Sequence, residues 1–159
     1  MDKEMLPMTN PDTPAIKGIH HIKLPVTNLH RSLEFYQQVF GAERIPQADH
    51  RREDDGALYA YICEVPGLGT KLELRLNPEH AERQRGFDFL TIAVSDRAVL
   101  ELWRQRLNQL GLENSGEIVA IQAWLIAFDD PDGHRLRLYT LETHGPEEKP
   151  DEDNIWLRN

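Results

Sequence analysis

Apolar positions alternate with polar ones through Ile22, Leu24 and Val26, then change to helical spacing at Leu29, Leu33, Tyr36 and Phe40. The first pattern predicts a strand over residues 18–26, with Ile19, His21, Lys23 and Pro25 on its other face. Asn28 is placed to cap the helix that follows, and Gly41 to end it. Three further strands are expected: a short one near Arg44 and Ile45, one over 58–62, and one over 71–76. The polar run 47–56 and the Gly-rich stretch 66–69 separate them.

The same order then repeats. Leu90, Ile92 and Val94 in an expected strand over 87–94 match Ile22, Leu24 and Val26. Ser95 or Asp96 opens a helix carrying Val99, Leu102, Trp103, Leu107 and Leu110, and Gly111 stops it. Strands follow over 117–121 and 123–128, then the turn Asp129-Asp130-Pro131-Asp132-Gly133 and a last strand over 135–141. The pattern predicts an α+β fold of two tandem βαβββ modules, residues 17–80 and 81–144, joined as one structural domain. Both modules together should form a cupped mixed sheet around a shared cavity, the modules pairing either within one chain or across a dimer. Residues 1–16, with three prolines, read as a flexible arm, and 145–159 as an acidic tail. Trp156 in that tail is expected either to dock on a neighbouring subunit or to stay disordered.

Composition narrows the function. The chain has 159 residues, a net charge of −9 and 28% charged residues. Modules of about 60 residues bury too little surface to stand alone, so a shared core is expected. The negative charge argues against nucleic acid, whose binding requires Lys and Arg to neutralise phosphates, and against an anionic membrane surface. One cysteine, Cys63, excludes an internal disulfide and reads as a small buried residue. No apolar run reaches the ~18 residues of a membrane-spanning helix, and the N-terminal residues lack a signal-peptide core. These features predict a cytoplasmic protein.

Because the helix-facing strand positions are apolar in both copies, the other face must line the cavity. That face carries His21 and Lys23, then Lys71, Glu73 and Arg75, in the first module. The second contributes Phe89 and Thr91, then Arg135, Arg137 and Tyr139. Aligning the copies makes His21, Glu73, Phe89 and Arg137 four equivalent inward positions. The other histidines fall on the helix side, on helix surfaces or in loops.

His-His-Ile-Lys-Leu-Pro-Val from His20, followed by Ser32-Leu33-Glu34-Phe35-Tyr36 and Phe40-Gly41, resembles the opening of vicinal oxygen chelate proteins. This superfamily includes glyoxalase I, extradiol dioxygenases, fosfomycin-resistance enzymes and bleomycin-binding proteins. The resemblance spans roughly residues 18–141, implies the two-module fold, often paired in a homodimer, and leaves the reaction open. In its metal-using members the four inward positions carry His on first strands and Glu on last ones. His21 and Glu73 match. Phe89 cannot ligate a metal, and Arg137 offers no lone pair. Arg137 would also repel a divalent ion at about 4–6 Å by several kcal/mol at an effective dielectric near 20.

Two functions compete. In the first, the cavity binds a small polar or anionic organic molecule without a tightly bound metal, for sequestration or metal-free catalysis. Glu73 and His21 are then the candidate catalytic residues, and Arg137, Phe89, Arg75, Tyr139, Lys23 and Thr91 the candidate ligand-binding ones. In the alternative, His21 and Glu73 hold a divalent metal with an incomplete ligand set, as in a lyase or dioxygenase. The first is favoured because two of the four ligand positions are chemically incompatible with a metal.

Overall fold

A computed structural model describes residues 12–158, so most of the expected N-terminal arm lies outside the described residues. The first module contains β1 (His21–Val26), α1 (Leu29–Phe40), β2 (Glu43–Arg44), β3 (His50–Arg51), β4 (Leu58–Glu64) and β5 (Lys71–Leu76). A short helix, α2 (Pro78–Arg83), leads on to β6 (Asp88–Val94), α3 (Arg97–Gln109), β7 (Ile118–Val119), β8 (Trp124–Asp129) and β9 (Arg135–Thr140). Each module folds its first strand parallel to its last: β1 lies beside β5, and β6 beside β9. The remaining pairings are antiparallel, giving the orders β1-β5-β4-β2, with β3 also on β4, and β6-β9-β8-β7. Two mixed sheets with covering helices establish the α+β class. Among the described residues no helix is long and apolar enough to cross a membrane.

Local signals act where expected. The Asn28 side chain accepts from Arg31 N, and Gly41 closes α1 in the left-handed conformation at φ 68°. Asp96, rather than Ser95, caps α3 by accepting from Val99 N. α2 was not expected. Asn77 caps it by accepting from His80 N, and Pro78 starts it.

One core spans both modules. Leu24, Val26, Leu72 and Leu74 of the first sheet share it with Ile126, Phe128, Leu136 and Leu138 of the second, and α1 and α3 contribute Leu33, Phe35, Val39, Leu100 and Leu107. Phe35 and Phe40 of α1 approach Phe128 of the second sheet at 6.5 and 6.1 Å between ring centroids. Phe40 meets Trp103 of α3 at 5.5 Å. The helix-covered faces of the sheets therefore look inward at each other. The faces carrying Glu73 and Arg137 both look outward, so one chain does not wrap them around a common cavity.

The Asp129–Gly133 turn locks the modules together. Asp132, 2% exposed, accepts from Thr27 Oγ1 at 2.6 Å, Thr27 N at 3.2 Å and Arg31 Nη2 at 3.0 Å. Tyr36 donates to Asp130 at 2.8 Å, and His134 Nε2 donates to the Pro25 carbonyl at 2.8 Å. Burial pushes the Asp130 carboxyl above its usual range and, with the Asp130 charge beside it, holds the Tyr36 hydroxyl well above its own.

Residues 145–158 do not dangle. Trp156 and Leu157, in a short 3-10 turn, pack on the apolar cluster of Ile118, Ala120, Leu125 and Ala127. Arg135 donates to the Trp156 carbonyl at 2.7 Å and stacks 4.7 Å from its ring centroid. Trp156 therefore docks within its own chain, on the outward face of the second sheet.

Candidate functional site

The two outward faces hold different chemistry. On the first sheet, the register Lys23↔Glu73↔Ile62 aligns β1, β5 and β4, and Ala60 links Arg75 to His50. These pairings gather His21, His50, Glu73 and Arg75. Glu73 is 1% exposed. A carboxylate so withdrawn from water needs compensating partners. Arg75 Nη1 donates to its Oε2 at 3.1 Å. His50 Nε2 stands 3.3 Å, and His21 Nε2 3.9 Å, from its Oε1.

Ring tautomers give this cluster a direction. His50 Nδ1 faces the Ala48 carbonyl at 2.9 Å and must donate to it. A neutral His50 therefore points a lone pair at Glu73, and only its protonated form attracts the carboxylate. His21 Nδ1 lies 2.8 Å from His20 Nδ1, so one of these rings donates to the other. The side chains of His21 and His50 remain 28% and 37% exposed, against 2% for Glu73. Solvent or a ligand thus meets the imidazoles, and Glu73 acts through them. Such a cluster can pass a proton at an imidazole nitrogen while the carboxylate stabilises the imidazolium.

Arg75 holds one Glu73 oxygen, and among the described residues no group of three or more His, Cys, Asp and Glu side chains is arranged to hold a metal ion. The second module supplies no further donor to this face.

Beside the cluster, Lys23, Pro25, Arg75, Asn77, His80 and Gln84 line an open cavity of about 220 Å³. Lys23 is exposed and forms no ion pair with the described residues. A larger cavity of about 400 Å³ at the other end of the sheet sets Lys71 and His20 against Glu64, which leaves it with no comparable cationic excess.

The second sheet departs from the expected alignment. Its ladder runs Asp88↔Arg135, Leu90↔Leu136 and Thr91↔Arg137, with an irregularity between Asp88 and Leu90. The first sheet runs His21↔Lys71, Ile22↔Leu72 and Lys23↔Glu73. The ladder equivalent of His21 is therefore Asp88, and Phe89 is the extra residue of a bulge. Phe89 packs against the shared core, 6.5 Å from the His134 ring, instead of lining a ligand face. Arg137 does stand at the Glu73 position, but it forms an ion pair with Asp88. Its guanidinium is thus already engaged by a carboxylate of its own chain. Thr91 lies exposed on the same ladder, and Tyr139 packs with Trp156 and Leu157.

Sequence reasoning brought together His21, Glu73, Arg75 and Lys23, and missed His50, Asn77, His80 and Asp88. His50 sits on a two-residue strand, which leaves no periodicity to find it by.

A family model described as "Glyoxalase/Bleomycin resistance protein/Dioxygenase superfamily" matches residues 18–138. The chain is 26% identical over 127 residues to MhqA of Bacillus subtilis (strain 168), named as a ring-cleaving dioxygenase. That match covers 77% of this chain but 40% of MhqA, so the chain spans about two-fifths of that relative's length. It is 27% identical over 127 residues to the metallothiol transferase FosB of Staphylococcus epidermidis, covering 79% and 84% of the two chains. The crystal structure of the fosfomycin resistance protein FosX from Listeria monocytogenes superposes with a TM-score of 0.63 at 22% identity, covering 80% of this chain and 96% of that one. With the matched segment running from before β1 into β9, the chain belongs to the glyoxalase/bleomycin resistance protein/dioxygenase superfamily.

Proposed function

We propose that the protein binds a small anionic organic molecule on the outward face of its first sheet, without a tightly bound metal. The anion is held by Lys23 and Arg75 and sits within reach of the His21–Glu73–His50 cluster. The observation that carries this reading is the cavity beside Glu73: Lys23, Arg75 and His80 line it, and no carboxylate does. Arg75 is partly neutralised by Glu73, which leaves Lys23 as the principal attraction. His21 and His50 then serve to exchange a proton with the bound molecule, with Glu73 as their counter-charge.

A second copy of the chain is the natural cover for this face. The face is open on one side, and Ile19 at its edge is 70% exposed. Light scattering on the purified protein reports that homodimer directly.

The binding test compares phenylphosphonate and benzoate with neutral benzamide by calorimetry, on the native protein and on Lys23→Met. Losing one charge-assisted contact of about 1.5 kcal/mol should weaken the anions roughly tenfold and leave benzamide unchanged. Equal binding of benzamide, or anion affinity indifferent to Lys23→Met, refutes the reading. Tight stoichiometric uptake of Mn²⁺ or Zn²⁺ by the native protein would replace it with the metal-dependent alternative at His21 and Glu73.

A further inference from the structure

His144, which the strand pattern leaves in a loop, has surroundings that only its protonated form satisfies. Its Nε2 lies 2.8 Å from the Ala120 carbonyl and its Nδ1 2.9 Å from the Gly145 carbonyl. A neutral imidazole has one N–H and one lone pair, so it would turn that lone pair on one of the two oxygens. The imidazolium donates to both. The acceptors are held by the backbone: His144 N donates to the Gln122 carbonyl at 2.9 Å, and the Gly145 carbonyl also accepts from Glu148 N at 3.3 Å. The ring is part-buried against Trp124, with centroids 5.3 Å apart.

This ring stands at the root of the C-terminal segment. Ala120 belongs to the turn that joins β7 to β8, and Gly145 is the first residue of the segment, so one side chain bridges sheet and tail. Beyond it, Asp151 N donates to the Val119 carbonyl at 2.9 Å, and Trp156 and Leu157 cover Ile118, Ala120, Leu125 and Ala127.

The charges around His144 favour the imidazolium. Glu147 and Glu148 face it from the tail, and the Glu147 carboxylate accepts from Gly145 N at 3.1 Å. Against them stands Arg97 of α3, which stacks 4.7 Å from the centroid of the Trp124 ring, but Glu117 and Glu142 already engage Arg97. The β7–β8 turn contributes the uncharged residues Ala120, Ile121, Gln122 and Ala123. The two carbonyls, with the tail carboxylates in support, raise the His144 ring above the ordinary imidazole value of 6.5.

We propose that His144 is a pH-sensitive clasp: its imidazolium ties the root of the C-terminal segment to the β7–β8 turn, and loss of its proton loosens the segment's hold on the second sheet. A group raised in the folded state holds fully below its ordinary value and lets go as pH rises through the folded one. The clasp is therefore closed in acid and opens on the alkaline side. Linkage runs both ways, so a docked tail must also hold the proton on His144. The clasp lies away from the Lys23–Arg75 face and does not depend on the reading given for that face.

The test is NMR on the full chain. In native protein His144 should titrate above 6.5 and show both ring N–H groups below its midpoint. Hydrogen-exchange protection of the Asp151 amide, corrected for the intrinsic pH dependence of exchange, should fall about three- to tenfold across the same titration, the effect of one hydrogen bond at a part-buried site. His144→Gln, which reaches one carbonyl at a time and does not titrate, should show low protection at Asp151 with no such step. The Trp156→Ala/Leu157→Ala variant, which weakens docking far from the ring, should bring the His144 titration down toward 6.5. A native His144 that titrates at or below 6.5, Asp151 protection that stays flat across the titration, the same step in His144→Gln, or a His144 titration unmoved by the tail variant would each overturn the proposal.

Discussion

Replacing Glu73 by methionine separates a functional carboxylate from a structural one. Glu73 is 1% exposed, and taking a carboxylate so far from water costs several kcal/mol even after relaxation. Its compensation is incomplete. The Arg75 side chain is 41% exposed, so that bond returns about 1 kcal/mol after screening. His50 and His21, at 3.3 and 3.9 Å, attract it only when protonated. Methionine would lie beside Ile62, its register partner on β4, and would leave three partners that water can reach. Glu73→Met should therefore stabilise the fold by about 1–3 kcal/mol, as buried ion pairs replaced by apolar groups often do. In a chain of this size that is a rise of roughly 2–10 °C in thermal midpoint. Asp132→Ala is the contrast within the same urea and thermal series. It strips Thr27 and Arg31 of a buried acceptor and should destabilise by about 3–5 kcal/mol. A loss of more than about 2 kcal/mol in Glu73→Met would refute the reasoning and make Glu73 a structural bridge.

Asp130, whose carboxyl burial raises above the usual 3.8, contributes a pH dependence of known sign. Its stabilising effect is complete below the unfolded value and is lost as pH rises through the folded one. Urea midpoints should therefore show native protein losing stability relative to Asp130→Asn as pH climbs above about 4, and a constant difference would contradict the burial argument. Burial also pushes the Cys63 thiol up to about 11, so iodoacetamide at pH 8 should leave Cys63 unmodified in the folded protein and label it in urea, as read by intact mass.

The fold was legible because its signals are local and repeated. Leu24 and Val26 reappear as Ile92 and Val94, and Asn28 and Asp96 each cap the helix that follows. Three features escaped for different reasons. α2 has six residues, too few for a helical period to stand out. The bulge at Phe89 hides because Phe89 and Leu90 are both apolar, so a one-residue slip leaves the pattern intact while exchanging Phe89 for Asp88 on the ladder. The tail offers only Trp156 and Leu157 among charges, and its partner surface is non-local. The inward orientation of the helices did leave a trace. α1 buries Phe35 and Val39 besides Leu29, Leu33 and Tyr36, an apolar arc wider than one sheet requires.

Duplication has left two scaffolds with opposite charge at equivalent ladder positions. In the first, a buried acid, Glu73, stands among His21, His50 and Arg75; in the second, a cation, Arg137, is held by Asp88. The electrostatic consequences differ because exposure differs. Around Glu73 the balancing groups reach water, so a ligand meets cations and imidazoles. Around Arg137 both partners are largely buried, with 19% and 13% of their side-chain surfaces exposed, so a ligand meets a neutral pair. The apolar cluster beneath Trp156 and Leu157 adds to that neutrality. The paired first and last strands of the two modules, which differ in register by a single bulge, therefore present different charge on their outward faces. The discrimination resides in which member of each ion pair water can reach.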